Sequence, residues 1–139
     1  MQTRNDTLAP LAGATYARLT TYRGDGSAVA TPVHIVVDAG RAFFRTWAPT
    51  GKLKRLRRNP LADVAPATVT GRPTGPGLRM RARILDGDEW EHARRLIEAK
   101  HPILHRLIPI VHRLRGQRTV HVELVPLAAD EARAGDAAA

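Results

Sequence analysis

The 139-residue chain has no cysteine. That excludes disulfides, thiolate metal sites and cysteine nucleophiles, and it fits a reducing compartment. Aromatic residues are scarce, at 4%, and they do not interleave with the basic segments, so the stacking platform of single-strand nucleic-acid binders is missing. No apolar run approaches the roughly 18 residues needed to span a bilayer. The start, Met1-Gln-Thr-Arg-Asn-Asp, leads only to a proline-broken stretch over residues 8–17, a poor signal peptide. These absences predict a soluble, cytoplasmic protein without a membrane partner. Catalytic signatures are missing too: there is no GxSxG, no HExxH and no P-loop. If the chain is an enzyme, a bound cofactor rather than a side-chain nucleophile carries its reaction, so we nominate no catalytic residue and no metal ligand.

Negative charge is the scarce sign. Thirteen acidic residues face 22 cations, 19 of them Arg, for a net charge of +9. A surplus of that size points to an anionic partner: nucleic acid, lipid headgroups or a phosphorylated small molecule. No helix-turn-helix is evident, which weighs against nucleic acid.

The length is that of one domain, and 43% hydrophobic content suffices for a core. We expect a loose lead-in over residues 1–12 with at most one helical turn, a folded domain over 13–127 and a disordered tail over 128–139 (AADEARAGDAAA). Within the domain the pattern has period two. Residues 16–23 (YARLTTYR) are rich in β-formers and stop at Gly24-Asp25-Gly26, so Arg23-Gly24-Asp25 reads as a hairpin corner rather than an integrin tripeptide. Residues 28–38 place Val29, Thr31, Val33, Ile35 and Val37 on one face, Ala39-Gly40 turns the chain, and 41–47 (RAFFRTW) form a third strand. A short helix over 51–59 is ended by Pro60. A fourth strand spans 61–70, and the loop GRPTGPG (71–77) follows. A fifth strand puts Leu78, Met80, Ala82 and Ile84 on one side and Arg79, Arg81 and Arg83 on the other. A helix over 88–100, N-capped by Asp86 or Asp88, precedes a second over 102–114 kinked at Pro109. A sixth strand over 119–127 closes the series. Six strands and few helices predict a mainly β fold, a small antiparallel barrel with helices packed outside it.

The segment 51–58 (GKLKRLRR) is the best site candidate, with Lys52, Lys54, Arg55, Arg57 and Arg58 cationic. On a helical wheel Leu53 and Leu56 define the buried side, Lys52 and Arg57 flank it, and Lys54, Arg55 and Arg58 point outward. Lys52 lies in the first turn, where free N–H groups and the helix dipole attract anions. Gly51 lets a ligand approach the backbone, and Thr50 offers a hydroxyl. A phosphate grip and a solvated basic helix both fit the spacing. Thr31-Pro32-Val33 is the second oddity: Pro32 interrupts a ladder, by a bulge or at a sheet edge, and frees backbone groups. His101, His105 and His112 share a stripe of the second helix, but without carboxylate or Cys partners they make a poor metal or haem site.

The runs LTTYRGDGSAVATPVHIVVDAGRAFFRT, GKLKRLRRNPLADVAP and GRPTGP, in that order, closely resemble short members of the pyridoxamine 5′-phosphate oxidase-like superfamily. More narrowly they resemble its deazaflavin-dependent branch, which uses coenzyme F420. The likeness spans residues 8–126. It implies a six-stranded, FMN-binding-like split β-barrel, a homodimer, and cofactor clefts between subunits. Carried across, it implies that Thr31, Pro32 and Val33 lie beside the deazaflavin ring through backbone contacts. Thr46 and Trp47 would then face the cofactor's middle, and Thr50, Gly51 and Lys52, with Lys54 or Arg55, would bind its phosphate. Two departures concern the substrate face: His34 stands where relatives often carry a bulky aromatic, and the 103–114 segment is unusually rich in Arg and His. The implied function is hydride transfer between F420 and an organic substrate. The alternatives are an FMN- or haem-binding split barrel, a non-catalytic F420 carrier, and a basic interaction module.

Overall fold

The computed structural model describes residues 3–101 and 118–127, with side chains from Leu8 onward. The helix expected over 102–114, with His105 and His112, and the tail expected over 128–139 lie outside the described residues. The elements in chain order are α1 (Thr3–Ala12), β1 (Tyr16–Tyr22), β2 (Ala28–His34), β3 (Val36–Asp38), β4 (Arg41–Ala48), α2 (Gly51–Arg58), β5 (Leu61–Ala67), β6 (Leu78–Ile84), α3 (Gly87–Lys100) and β7 (Arg118–Pro126). All strand pairs are antiparallel, in one seven-stranded sheet ordered β2-β1-β5-β6-β7-β4-β3.

The count of seven differs from the expected six for one reason. The run 28–38 is a single apolar alternation in sequence, but it changes partner at Ile35, whose N–H donates to the Thr15 carbonyl at 3.2 Å. Before that residue the chain pairs with β1, and after it with β4. The two outermost strands of the sheet are therefore consecutive pieces of one segment, and the sheet curls to bring its edges together. This is the curled, half-barrel arrangement of a split barrel.

Turn chemistry sets the registers. Arg23 and Ser27 close the β1–β2 turn with Gly26 at φ +89°, and the Asp25 carboxylate accepts from the Ser27 N–H and hydroxyl at 2.9 and 2.7 Å. Ala39 and Gly40, both at positive φ, form the two-residue connection whose twist suits a hairpin.

The inner face gathers Leu19, Ile35, Phe44, Val64, Met80, Val122 and Leu124 into one core. Val33 lies in that core, and Val37, Leu78, Ala82 and Ile84 pack against it, as the alternation predicts. Leu53 and Leu56 of α2 enter the same core. The lead-in over 1–12 contains more than a turn: α1 runs for 10 residues and sends Leu8 and Leu11 into that core. Its polar first turn and internal Pro10 hide it from a periodicity reading, and packing of the two leucines offsets the weak propensity. On the outer face, α3 lays Ala93 and Ile97 over Val36, Phe43 and Leu85 in a second cluster. Asp86 is its N-cap, in extended conformation, and Asp88 and Glu89 in the first turn suit the helix dipole.

Candidate functional site

The β1–β2 register is unbroken from Tyr16↔His34 to Tyr22↔Ala28. Pro32 therefore sits on an edge strand, without a bulge, opposite Arg18. Among the described residues β2 is paired only on its β1 side, and β4 beyond Phe43 only on its β7 side. The edge of β2 and the second half of β4 thus bound a slot where the sheet has not zipped shut. Thr31 lies on the inner side of β2, and its buried Oγ1 has no hydrogen-bond partner among the described residues. Val33 is buried beyond it, while Pro32 is exposed. On β4, Thr46 is buried and Trp47 is 36% exposed.

From Trp47 the chain turns through Pro49 into α2. Thr50 is the N-cap, in extended conformation, and its Oγ1 accepts from the Leu53 N–H at 3.3 Å. The same oxygen lies 3.5 Å from Thr46 Oγ1, tying the end of β4 to the helix start. Lys52 Nζ stands 5.6 Å from the centroid of the Trp47 ring, within cation–π reach. Burial, and then the nearby Arg55 charge, push the Lys52 ammonium below its ordinary range.

Arg55 corrects the helical wheel. It folds back onto the barrel, and its Nε donates to Thr21 Oγ1 of β1 at 2.6 Å. Its Nη1 lies only 2.7 Å from where a Gly51 Cβ would stand, so glycine at that position lets the guanidinium cover the first turn. Arg57 and Lys54 are exposed, as is Arg58, whose guanidinium reaches Gly24 of the hairpin. Burial, then the Arg23 charge, lowers the pKa of Arg55. Thr21 was not a sequence candidate. Its only local signal is that of a β-former, and its role depends on a residue 34 positions away.

Two cations thus gather over the positive end of a helix, an unfavourable placement for like charge, and no ion pair among the described residues involves any cation of α2. Several arginines elsewhere are neutralised. Arg79 pairs with Asp63 at 3.2 Å, and Asp63 also accepts from the Tyr22 hydroxyl. Arg83 pairs with Glu89 and with Glu123, which is almost fully buried and also holds Arg41. Arg81 and Arg83 are both exposed, and of that stripe Arg81 alone makes no ion pair among the described residues. Beneath α3, the buried Arg45 donates from Nε to His121 Nε2 at 3.0 Å and from Nη2 to Glu98 at 3.3 Å. His121 Nδ1 therefore carries the proton and donates to the Trp90 carbonyl at 2.9 Å. His101 caps α3, with its ring 4.7 Å from that of His34, which lies 4.7 Å from Tyr16. Among the described residues no three His or carboxylate groups are placed to hold a metal, and no helix is long and apolar enough to cross a membrane.

The residues of the slot and the helix start fit a phosphorylated, flat ligand in the chemistry of their donors: cations and strand edges that have no carboxylate or strand partner among the described residues, a threonine hydroxyl and helix N–H groups. The structure brings Thr46, Trp47, Thr50, Gly51, Lys52 and Arg55 together. Thr31, Pro32 and Val33 line the facing strand, and Lys54 stands apart on the solvent side.

No protein-family model matches this chain, and no curated protein matches it. Solved structures do. A candidate pyridoxamine 5′-phosphate oxidase from Listeria innocua superposes with a TM-score of 0.59 at 17% identity, over 91% of this chain and 94% of that one. HutZ, the heme storage protein from Vibrio cholerae, gives a TM-score of 0.67 at 12% identity, over 93% of each chain. A FAD-binding protein from Mesorhizobium loti gives 0.63 at 15% identity, over 89% and 87%. At these identities the likeness is one of fold: the chain has the split-barrel architecture of pyridoxamine oxidase-like proteins.

Proposed function

We propose that this chain binds coenzyme F420 at the slot between β2 and β4, with the phosphate on the first turn of α2, and serves as an oxidoreductase for an organic substrate. One observation carries the reading: Lys52 and Arg55 crowd the positive end of α2 without a carboxylate partner among the described residues. An arrangement that repels itself is relieved by an anion, and N–H groups at a helix start suit phosphate. The carboxylate-paired arginines of β6 and α3 form the contrast, because they have no charge left to offer. The named ligands of two structural neighbours, FAD and heme, support a large flat cofactor as the class.

In this reading Lys52 and Arg55 bind the phosphate. The Thr50 hydroxyl, whose oxygen already accepts from the Leu53 N–H, donates a hydrogen bond to it. The backbone of Thr31, Pro32 and Val33 orients the ring, and Trp47 covers part of the ligand from the β4 side. A deazaflavin, when bound, supplies the hydride chemistry that no side chain here offers. The protein contributes orientation and exclusion of water. The resemblance in sequence adds that the barrel works as a homodimer with the cofactor between subunits.

The test is a fluorescence titration of the full chain with F420 and, separately, with FMN and with hemin. F420 is expected to bind more tightly, and Lys52→Ala to weaken it by about tenfold to a hundredfold, the loss of one charge-assisted contact. Equal affinity for FMN, preference for hemin, or no F420 binding overturns the assignment. F420 binding without turnover across a panel of unsaturated acceptors leaves a carrier instead of a reductase.

A further inference from the structure

A second cleft, of about 220 Å³, opens on the outer face of the barrel and is lined by Arg18, Thr20, Asp63, Val64, Ala65, Pro73, Gly75 and Gly77. It shares no residue with the slot. Its wall is the glycine- and proline-rich loop that follows β5, and that loop is pinned. The Thr68 N–H donates to the Arg72 carbonyl at 2.9 Å, the Arg72 N–H to Thr68 Oγ1 at 3.2 Å, and the Thr74 N–H to the Pro66 carbonyl at 2.8 Å. Gly75 lies so close to the sheet that a Cβ there would come within 2.9 Å of Pro66 Cγ. The loop is thus held against the strand while its glycines leave the cleft unfilled.

The two charged groups of the cleft differ in their commitments. Asp63 is occupied by Arg79 and by the Tyr22 hydroxyl. Arg18, half-buried on β1, makes no ion pair or side-chain hydrogen bond among the described residues. A planar guanidinium in a recess is suited to bidentate contact with a carboxylate. With Asp63 already paired to Arg79, Arg18 is the one lining residue of the cleft with charge to offer, and one guanidinium balances one carboxylate. The volume lies below the roughly 300 Å³ at which drug-sized pockets begin, so the occupant is small.

We propose that this cleft binds a small monocarboxylate, held by Arg18 with Thr20 and the loop at Gly75 and Gly77 as neighbours. The proposal is independent of the cofactor reading, since neither the residues nor the ligand are shared. The test uses the full chain, isotope-labelled, titrated with acetate, lactate and benzoate at constant ionic strength, with inorganic phosphate as control. The amide resonances of Thr20, Gly75 and Gly77 are followed. At least one carboxylate is expected to shift these amides saturably. Arg18→Met is expected to weaken that binding by about tenfold or more, and Arg18→Lys to weaken it less, since a point charge keeps the attraction without the fork. The Arg18→Lys arm stands even if Arg18→Met folds poorly. The proposal is overturned if no carboxylate moves these amides, if phosphate moves them with equal affinity, or if binding survives in Arg18→Met.

Discussion

His121 should make the stability of this protein pH-dependent in a way one substitution removes. The residue is fully buried between β4 and α3. Burial first, and then the Arg45 charge, push its pKa down to about 4 from an ordinary 6.5. The geometry agrees: Arg45 donates into Nε2 and the Trp90 carbonyl accepts from Nδ1, so the ring is held neutral. Arg94 opposes its protonation, and Glu91 together with the Trp90 carbonyl favours it. In the unfolded chain the ring protonates near 6.5. The contribution is therefore fully present above pH 6.5, erodes as pH falls from there to about 4, and is gone below that. The displacement corresponds to about 3 kcal/mol, at about 1.4 kcal/mol for each tenfold change in protonation. The assay is urea unfolding followed by tryptophan fluorescence at several pH values between 7 and 4, on wild type and on His121→Gln. The Trp90 ring lies 4.3 Å from the His121 ring, so the probe reads the site directly. Glutamine keeps an oxygen for Arg45 and cannot titrate. Wild type should lose about 3 kcal/mol more than the variant across this range. Comparing the two cancels the other groups that titrate there, including His34 and His101, both also lowered chiefly by burial. Parallel stability profiles for the two proteins would falsify the reasoning.

Other consequences are equally direct. Leu53→Ala opens a void where α2 enters the core, and unfolding midpoints should fall by the equivalent of about 3 kcal/mol. Thr50→Ala removes the cap that holds the Leu53 N–H and should cost about 1 kcal/mol in the same measurement; an unchanged midpoint contradicts the capping role. Gly75→Ala forces a methyl towards Pro66, with an expected loss of about 1–3 kcal/mol from overpacking. Glu123→Gln weakens two ion pairs at once. Because both arginines are partly exposed and can rehydrate, the cost should be only about 1–2 kcal/mol, and added salt should narrow the gap to wild type.

Much of the architecture is legible in the sequence because the information is local. The Gly24-Asp25-Gly26 and Ala39-Gly40 turns are marked by Gly26 and Gly40, which tolerate the positive φ those positions need. The alternation of β6 sorts Met80 inward and Arg79 outward with no knowledge of the partner strand. Leu53 and Leu56 mark the buried side of α2 by spacing alone. The phosphate-grip candidates share a short stretch of chain and are legible together, while the capping role of Thr50 is seen only in the structure.

Only the tertiary structure decided the rest. The run 28–38 carries no mark at Ile35 saying that its two halves serve opposite edges of the sheet; closure of the curled sheet determines it. Arg55 points outward on a wheel, yet a threonine on β1 draws it back across the helix start. The stripe of Arg79, Arg81 and Arg83 invites a common explanation, but Arg79 and Arg83 are engaged by carboxylates from β5, α3 and β7, while Arg81 has no such partner among the described residues. The Arg45–His121–Glu98 network joins residues from three elements, none of which predicts the others. Backbone dihedrals and side-chain periodicity are written in neighbouring residues. Charge neutralisation and desolvation depend on groups far apart in the chain, and so the sequence alone yields the +9 surplus but not which cations remain available to an anion.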